Sequence, residues 1–134
     1  MEKGAIISHI RAILPSFSDL EVAYLYGSSL SREDFRDIDI ALFVTDHLSY
    51  DEQVSLAEKV AVSIEEALSF GHECDVRILN HAPVWFQFEV ISTGLLVYSR
   101  TDGERCDRET AALIAYLDMK YTFDLFDAEY LARA

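Results

Sequence analysis

The sequence predicts a single mixed α+β domain, a small β-sheet covered by helices. Three observations carry that expectation. Short apolar runs rich in β-branched and aromatic residues, "VAYLY", "IDIALFV", "CDVRIL" and "LLVYS", alternate with segments of helical periodicity. The first two runs are joined by a short connection, so the sheet is mixed rather than wholly parallel. At 134 residues, 51% of them apolar, residues 1–134 suffice for one ordinary core and are too few for two domains of typical size.

Taken in order, Ile6, Ile10, Ile13 and Leu14 recur at helical spacing and Pro15 follows, which predicts a first helix from about Gly4 to Leu14. Val22 to Tyr26 is the first strand and Asp37 to Val44 the second. A long helix from Tyr50 to Phe70 lays Val54, Ala57, Val60, Ala61, Ile64 and Leu68 along one face, and Gly71 is placed to end it. Cys74 to Leu79 is a third strand, Pro83 to Ser92 a helix, and "LLVYS" after Gly94 a short fourth strand. The closing helix runs from about Arg105 onward. Its residues Ala112, Tyr116, Met119, Phe123, Phe126 and Tyr130 alternate spacings of four and three, a seam suited to packing along another helix. That seam fits the domain's own sheet, a homodimer or a hetero-oligomeric partner. "VWFQF", Val84 to Phe88, reads as core.

Composition narrows the function. A net charge of −13, from 24 acids and 11 bases, argues against direct nucleic acid binding, which needs many Lys and Arg contacts to phosphate. It suits a cationic partner, or simply solubility. No charge-free apolar run approaches the roughly 18 residues of a membrane span, and the N-terminus lacks an export signal. Cys74 and Cys106 make neither a disulfide framework nor a zinc ribbon. A soluble, cytoplasmic protein is expected. His9, His47, His72 and His81 are scattered without metal-site spacing and read as structural or surface residues.

The informative pattern is acidic. Asp37 and Asp39 are two apart on a strand, so they share one face while Ile38 and Ile40 take the other. At roughly 6 Å and an effective dielectric of about 20, their repulsion is on the order of 3 kcal/mol. A hard divalent cation offsets it, because Mg²⁺ takes oxygen ligands from one or two carboxylates and completes its shell with water and phosphate. Asp75, near the start of the third strand, joins the cluster if that strand neighbours the second. Three carboxylates hold two metal ions in the arrangement used for in-line attack at phosphorus. Gly27 and Ser28 sit where the first strand turns, and a turn there offers backbone N–H groups and a hydroxyl to a phosphate. Gly-Ser alone is an ordinary turn, and "DID" alone fits a sheet edge or a Ca²⁺ site; the combination is the specific signal. Arg77 shares the face of Asp75, placed for an ion pair or a phosphate contact.

The order "GSSLSREDFRDIDIALF", then "CDVRIL", with "YLDMKY" in the last helix, resembles the nucleotidyltransferase superfamily of DNA polymerase beta, in its small single-domain branch, the minimal nucleotidyltransferases. The resemblance implies the nucleotidyltransferase fold with a long C-terminal helix. It implies that Gly27 and Ser28 bind the nucleotide triphosphate, that Asp37 and Asp39 bind metal, and that Asp75 completes the metal site and helps activate the attacking hydroxyl. Two Mg²⁺ ions would be the cofactors and ATP the substrate. Members such as the MntA antitoxins silence a HEPN ribonuclease toxin by transferring AMP from ATP to one of its tyrosines, which makes an adenylyltransferase with a HEPN-type partner the implied function. The alternatives are an antitoxin that acts by binding alone and a nucleotidyltransferase of small cationic molecules such as aminoglycosides. The chain departs from the common family form in a loop about two residues shorter, in Arg36 before Asp37 where a serine is usual, and in Ser31 and Arg32 where a second glycine is usual. Arg32 and Arg36 are either surface charges or compensating phosphate contacts.

Overall fold

The computed structural model describes residues 2–30 and 37–133, with the side chains of Ser28 and Ser29 excepted. Helix α1 (Lys3–Ile13) runs into a single 3-10 turn over Leu14–Ser16 that holds Pro15, and the chain then enters β1 (Leu20–Tyr26). Strand β2 (Asp37–Val44), helix α2 (Tyr50–Ala67), strand β3 (Glu73–Ile78), helix α3 (Val84–Thr93), strand β4 (Leu95–Ser99) and helix α4 (Asp102–Arg133) follow. The sheet has the order β3-β2-β1-β4. Strand β1 pairs antiparallel with both β2 and β4, whereas β2 and β3 are parallel and joined through α2. The mixed sheet expected from the short first connection is therefore present.

Each face of the sheet carries its own core. Ile38, Ile40, Leu42 and Val44 of β2 project to one side and pack with Ile6 and Ile10 of α1 and Val60 and Ile64 of α2. Ala41 and Phe43 project to the other, with Val22, Tyr24, Leu79 and Val90 of α3. A bulge between Leu20 and Val22 shifts the register, so Leu20 and Ala23 reach the same core although their numbers differ in parity. Glu21 sits at that bulge, nearly buried, and its carboxylate accepts a hydrogen bond from Arg108 Nε at 2.8 Å.

Helix α2 begins with a capping box. Ser49 Oγ accepts from the Glu52 N–H at 3.2 Å, and Glu52 Oε1 accepts from the Ser49 N–H at 3.1 Å. Its end differs from the expectation that Gly71 stops it. The last helical residue is Ala67, and the chain closes through N–H bonds from Ser69 to Glu66 O and from Phe70 to Glu65 O. That is the Schellman pattern, with Ser69 at φ 57° and Phe70 at φ 56° taking the left-handed conformation assigned to glycine by sequence. Closure comes early because Leu68 is drawn into the core. Part of the expected apolar face of α2 is also not core: Val54 is exposed and Ala57 and Ala61 are half-buried along a surface groove.

Helix α4 starts three residues earlier than the sequence suggests and lies on the α3 side of the sheet. Tyr24 Oη donates to Glu109 Oε1 at 2.7 Å, and the Arg108 guanidinium, 5.4 Å from the centre of the Phe43 ring, also donates to Val44 O and Asp46. Phe88 of α3 stacks on Tyr116 with ring centres 3.8 Å apart. Beyond Met119 every described residue of α4 is exposed, including Phe123, Phe126 and Tyr130. Packing on the domain's own sheet thus accounts for the seam only through its first half. Trp85 is 55% exposed, so "VWFQF" is only partly core. Among the described residues no helix is long and apolar enough to cross a membrane.

Candidate active site

The carboxylates expected to act together are brought together by strand register. Asp39 of β2 is the direct partner of Asp75 in β3, and Asp37 is the partner of Glu73. In-register neighbours on parallel strands about 4.8 Å apart present their side chains on the same face. Asp37, Asp39 and Asp75 line one open cavity of about 570 Å³. Glu65 and Glu73 line it as well. Glu73 was missed by the sequence reading, although it stands two residues before Asp75 as Asp37 does before Asp39, and the same rule of alternation identifies it.

Asp39 is the electrostatic centre. Its carboxyl is held above the usual aspartate range, first by burial, then by the charge of Asp75, then by that of Asp37, with Arg77 acting in the opposite sense. The cross-strand neighbour therefore weighs more than the acid two residues away, consistent with the closer spacing of paired strands. Arg77 Nε lies 3.4 Å from Asp75 Oδ2, both groups being well exposed, and its guanidinium stands 5.8 Å from the centre of the Phe86 ring. The ion pair anticipated for Arg77 is present. Below the acids, burial pushes the Cys74 thiol up to about 12, with Glu65, Asp75 and Asp39 adding to the effect, so Cys74 is a protonated packing residue. His72 Nδ1, in the wall of the same cavity, is buried without a hydrogen-bond partner among the described residues.

Gly27 ends β1 beside this cluster. Tyr26 pairs with Asp39 across the hairpin, and Gly27 then turns at φ +79°. A Cβ at Gly27 would stand 2.9 Å from Asp39 Oδ2. Glycine is thus required twice, for the left-handed turn and for the carboxylate that occupies the place of its side chain. The 3-10 turn Gly27–Leu30 follows and packs against β2. The Ser28 side chain, and Ser31, Arg32 and Arg36, lie outside the described residues.

On the far side of Gly27 a second cavity of about 520 Å³ is walled by Tyr26, Leu30, Phe86 and Val90. Tyr26 meets Phe86 edge to face with ring centres 5.6 Å apart. Its hydroxyl is pushed up to about 12, chiefly by burial, with Asp39 and Asp75 adding and Arg77 opposing.

The carboxylates of the acid cavity offer hard oxygen donors, which fit a hard divalent cation. Among the described residues no three His, Cys, Asp or Glu side chains close on a single point at metal-ligand distance. The carboxylates converge on a shared cavity, with room for water and phosphate oxygens to complete a coordination shell.

In a sheet of this order, paired acids on β2 and a third on β3 share one open cavity beside the glycine turn that ends β1. The family described as polymerase beta, nucleotidyltransferase, matches residues 8–103, and the chain belongs to that family. Among curated proteins none matches. Solved structures share the fold at low identity. One is a tri-AMPylated HEPN toxin of Shewanella oneidensis in complex with MNT antitoxin, whose similar chain is 19% identical with a TM-score of 0.65, over 96% of this chain and 98% of that one. A toxin-antitoxin structure with AMP-PNP is 19% identical with a TM-score of 0.65, over 93% and 98%. A toxin-antitoxin MntA-HepT structure is 20% identical with a TM-score of 0.60, over 96% and 95%.

Proposed function

We propose that this chain is a Mg²⁺-dependent adenylyltransferase that moves AMP from ATP onto a hydroxyl of a partner protein, a tyrosine of a HEPN-type toxin. The observation that carries the reading is the register of Asp39 with Asp75, with the Gly27 turn packed against Asp39. The similar structures of a tri-AMPylated toxin with its antitoxin and of a toxin-antitoxin with AMP-PNP support the choice of AMP, ATP and partner.

Asp37, Asp39 and Asp75 are the residues that would hold Mg²⁺, which supplies charge neutralisation at the reacting phosphate. Gly27 and the backbone of Ser28 bind the triphosphate. The acceptor oxygen attacks the α-phosphorus, its proton passing to Asp75 directly or through water. The bond to the β-phosphate oxygen breaks and pyrophosphate leaves. Arg77 is placed to exchange its contact with Asp75 for one with phosphate. Positioning and charge neutralisation supply most of the rate.

The test incubates the purified chain with ATP labelled at the α-phosphate, Mg²⁺ and the partner toxin. Label should appear on the toxin, require the metal, and fall at least about 100-fold in Asp39→Asn. Full transfer by that variant rejects the metal role. Inhibition of the toxin without label would mark an antitoxin that acts by binding alone.

A further inference from the structure

The apolar groove between α2 and β3 opens onto the acid cavity at Asp75, which lines both. The groove has a volume of about 520 Å³ and exists because α2 presents the small side chains of Ala57 and Ala61 opposite Val76 and Ile78. Val54 and Tyr50 rim it, 39% and 78% exposed.

Strand β3 is also an edge of the sheet, and among the described residues no strand pairs with its outer side. The Leu79 N–H donates to Leu42 O across the parallel pair, so odd-numbered residues of β3 turn their backbone toward β2 and even-numbered ones turn outward. The outward Cys74 N–H is occupied by Glu65 Oε1 at 3.0 Å. The N–H and C=O groups of Val76 and Ile78 remain directed away from the sheet.

We infer that an extended peptide of the acceptor protein docks here as an added strand along β3, delivering its hydroxyl side chain beside Asp75. The inference rests on the adenylyl-transfer reading and specifies how the acceptor enters. A row of outward backbone groups with a period of two is matched by another backbone in extended form. Cross-strand neighbours share a face, so the residue opposite Asp75 rises next to Asp75, with Cβ atoms about 4.5–5.5 Å apart, and Asp39 stands one strand further in on the same face. The residues on either side of it point the other way, into the groove over Ala57 and Ala61. The acceptor motif is therefore apolar, hydroxyl, apolar. Glu73 selects a basic residue at the flank opposite it, Glu58 adds negative charge at the groove, and Arg77 faces the other flank.

The probe is a short synthetic peptide with Val-Tyr-Val at its centre and lysines at both ends. Backbone hydrogen exchange at Val76 and Ile78 is followed with and without the peptide, without nucleotide. AMP transfer to the peptide is then measured for the unmodified chain, Ala61→Phe and Val54→Asp. Exchange at both amides should slow at least about tenfold on saturation. Each variant should raise KM for the peptide about tenfold and leave KM for ATP unchanged. Absence of slowing at millimolar peptide overturns the inference whether or not AMP is transferred, as does an unchanged peptide KM in both variants. Slowed exchange without transfer upholds the docking and counts against the adenylyl-transfer reading instead.

Discussion

Asp39 carries opposed demands: it packs against Gly27, pairs with Tyr26 and sits between two like charges. Because its folded pKa is raised, the folded state binds more protons than the unfolded one between the usual aspartate value and the raised one. Stability therefore falls as pH rises through that window. In chelator-treated protein, Asp39→Asn should raise the unfolding free energy near neutral pH by about 1 kcal/mol, the bare repulsion being discounted for solvent around a part-exposed group. It should also flatten the acid-side slope. Urea unfolding across pH checks both, and an Asn variant less stable than the parent would refute the charge argument. Gly27→Ala meets a carboxylate oxygen at 2.9 Å and a left-handed backbone. About 1–2 kcal/mol of backbone strain and a displaced Asp39 should lower adenylyl transfer by at least about tenfold while the chain stays folded. Comparing transfer rate with circular dichroism separates the effects. Asp37 and Asp39 were legible as a pair because alternation along a strand depends only on numbering, whereas Asp75 joined them only on the condition that its strand neighbours theirs. The contact of Gly27 with Asp39 was not legible, because it crosses the hairpin and depends on a register that the sequence does not state.

At the level of elements, α4 is fastened by polar contacts that its apolar seam does not announce. Arg108 serves Glu21, Asp46 and Val44 O together, and the Glu21 side chain is 12% exposed. Arg108→Ala leaves that carboxylate without its guanidinium and should cost about 3 kcal/mol or more. The pair Glu21→Gln with Arg108→Met should recover over half of the loss. Denaturant midpoints at constant m-value decide it. Among the described residues the sequence pattern found each α-helix and each strand, since burial on one face leaves a readable period. It misplaced the end of α2, because a Schellman closure at Ser69 is selected by the burial of Leu68 rather than by the nearby glycine. It also laid Val54, Ala57 and Ala61 along the same face as Val60 and Ile64 without separating groove from core, because a groove wall and a core face have the same period.

For the whole molecule, the projecting half of α4 stands apart from the folding core. The stretch from Lys120 to Arg133 spans about 21 Å of helix and buries none of its side chains in the domain. Removing residues 121–133 should change the unfolding free energy by no more than about 0.5 kcal/mol. The same deletion should weaken association with a partner protein, as measured by calorimetry alongside the melt. A loss of several kcal/mol would place this segment in the domain's own core instead. The two halves of the acid site also differ in how the chain reaches them. Asp39 and Gly27 belong to one antiparallel hairpin and meet through a short closure, whereas Asp75 arrives only after the helical crossover of α2. Local pairings form at lower entropic cost than distant ones. The nascent polypeptide thus acquires its glycine turn and first two acids early, and the charge-crowding third acid is added by the slower, long-range step.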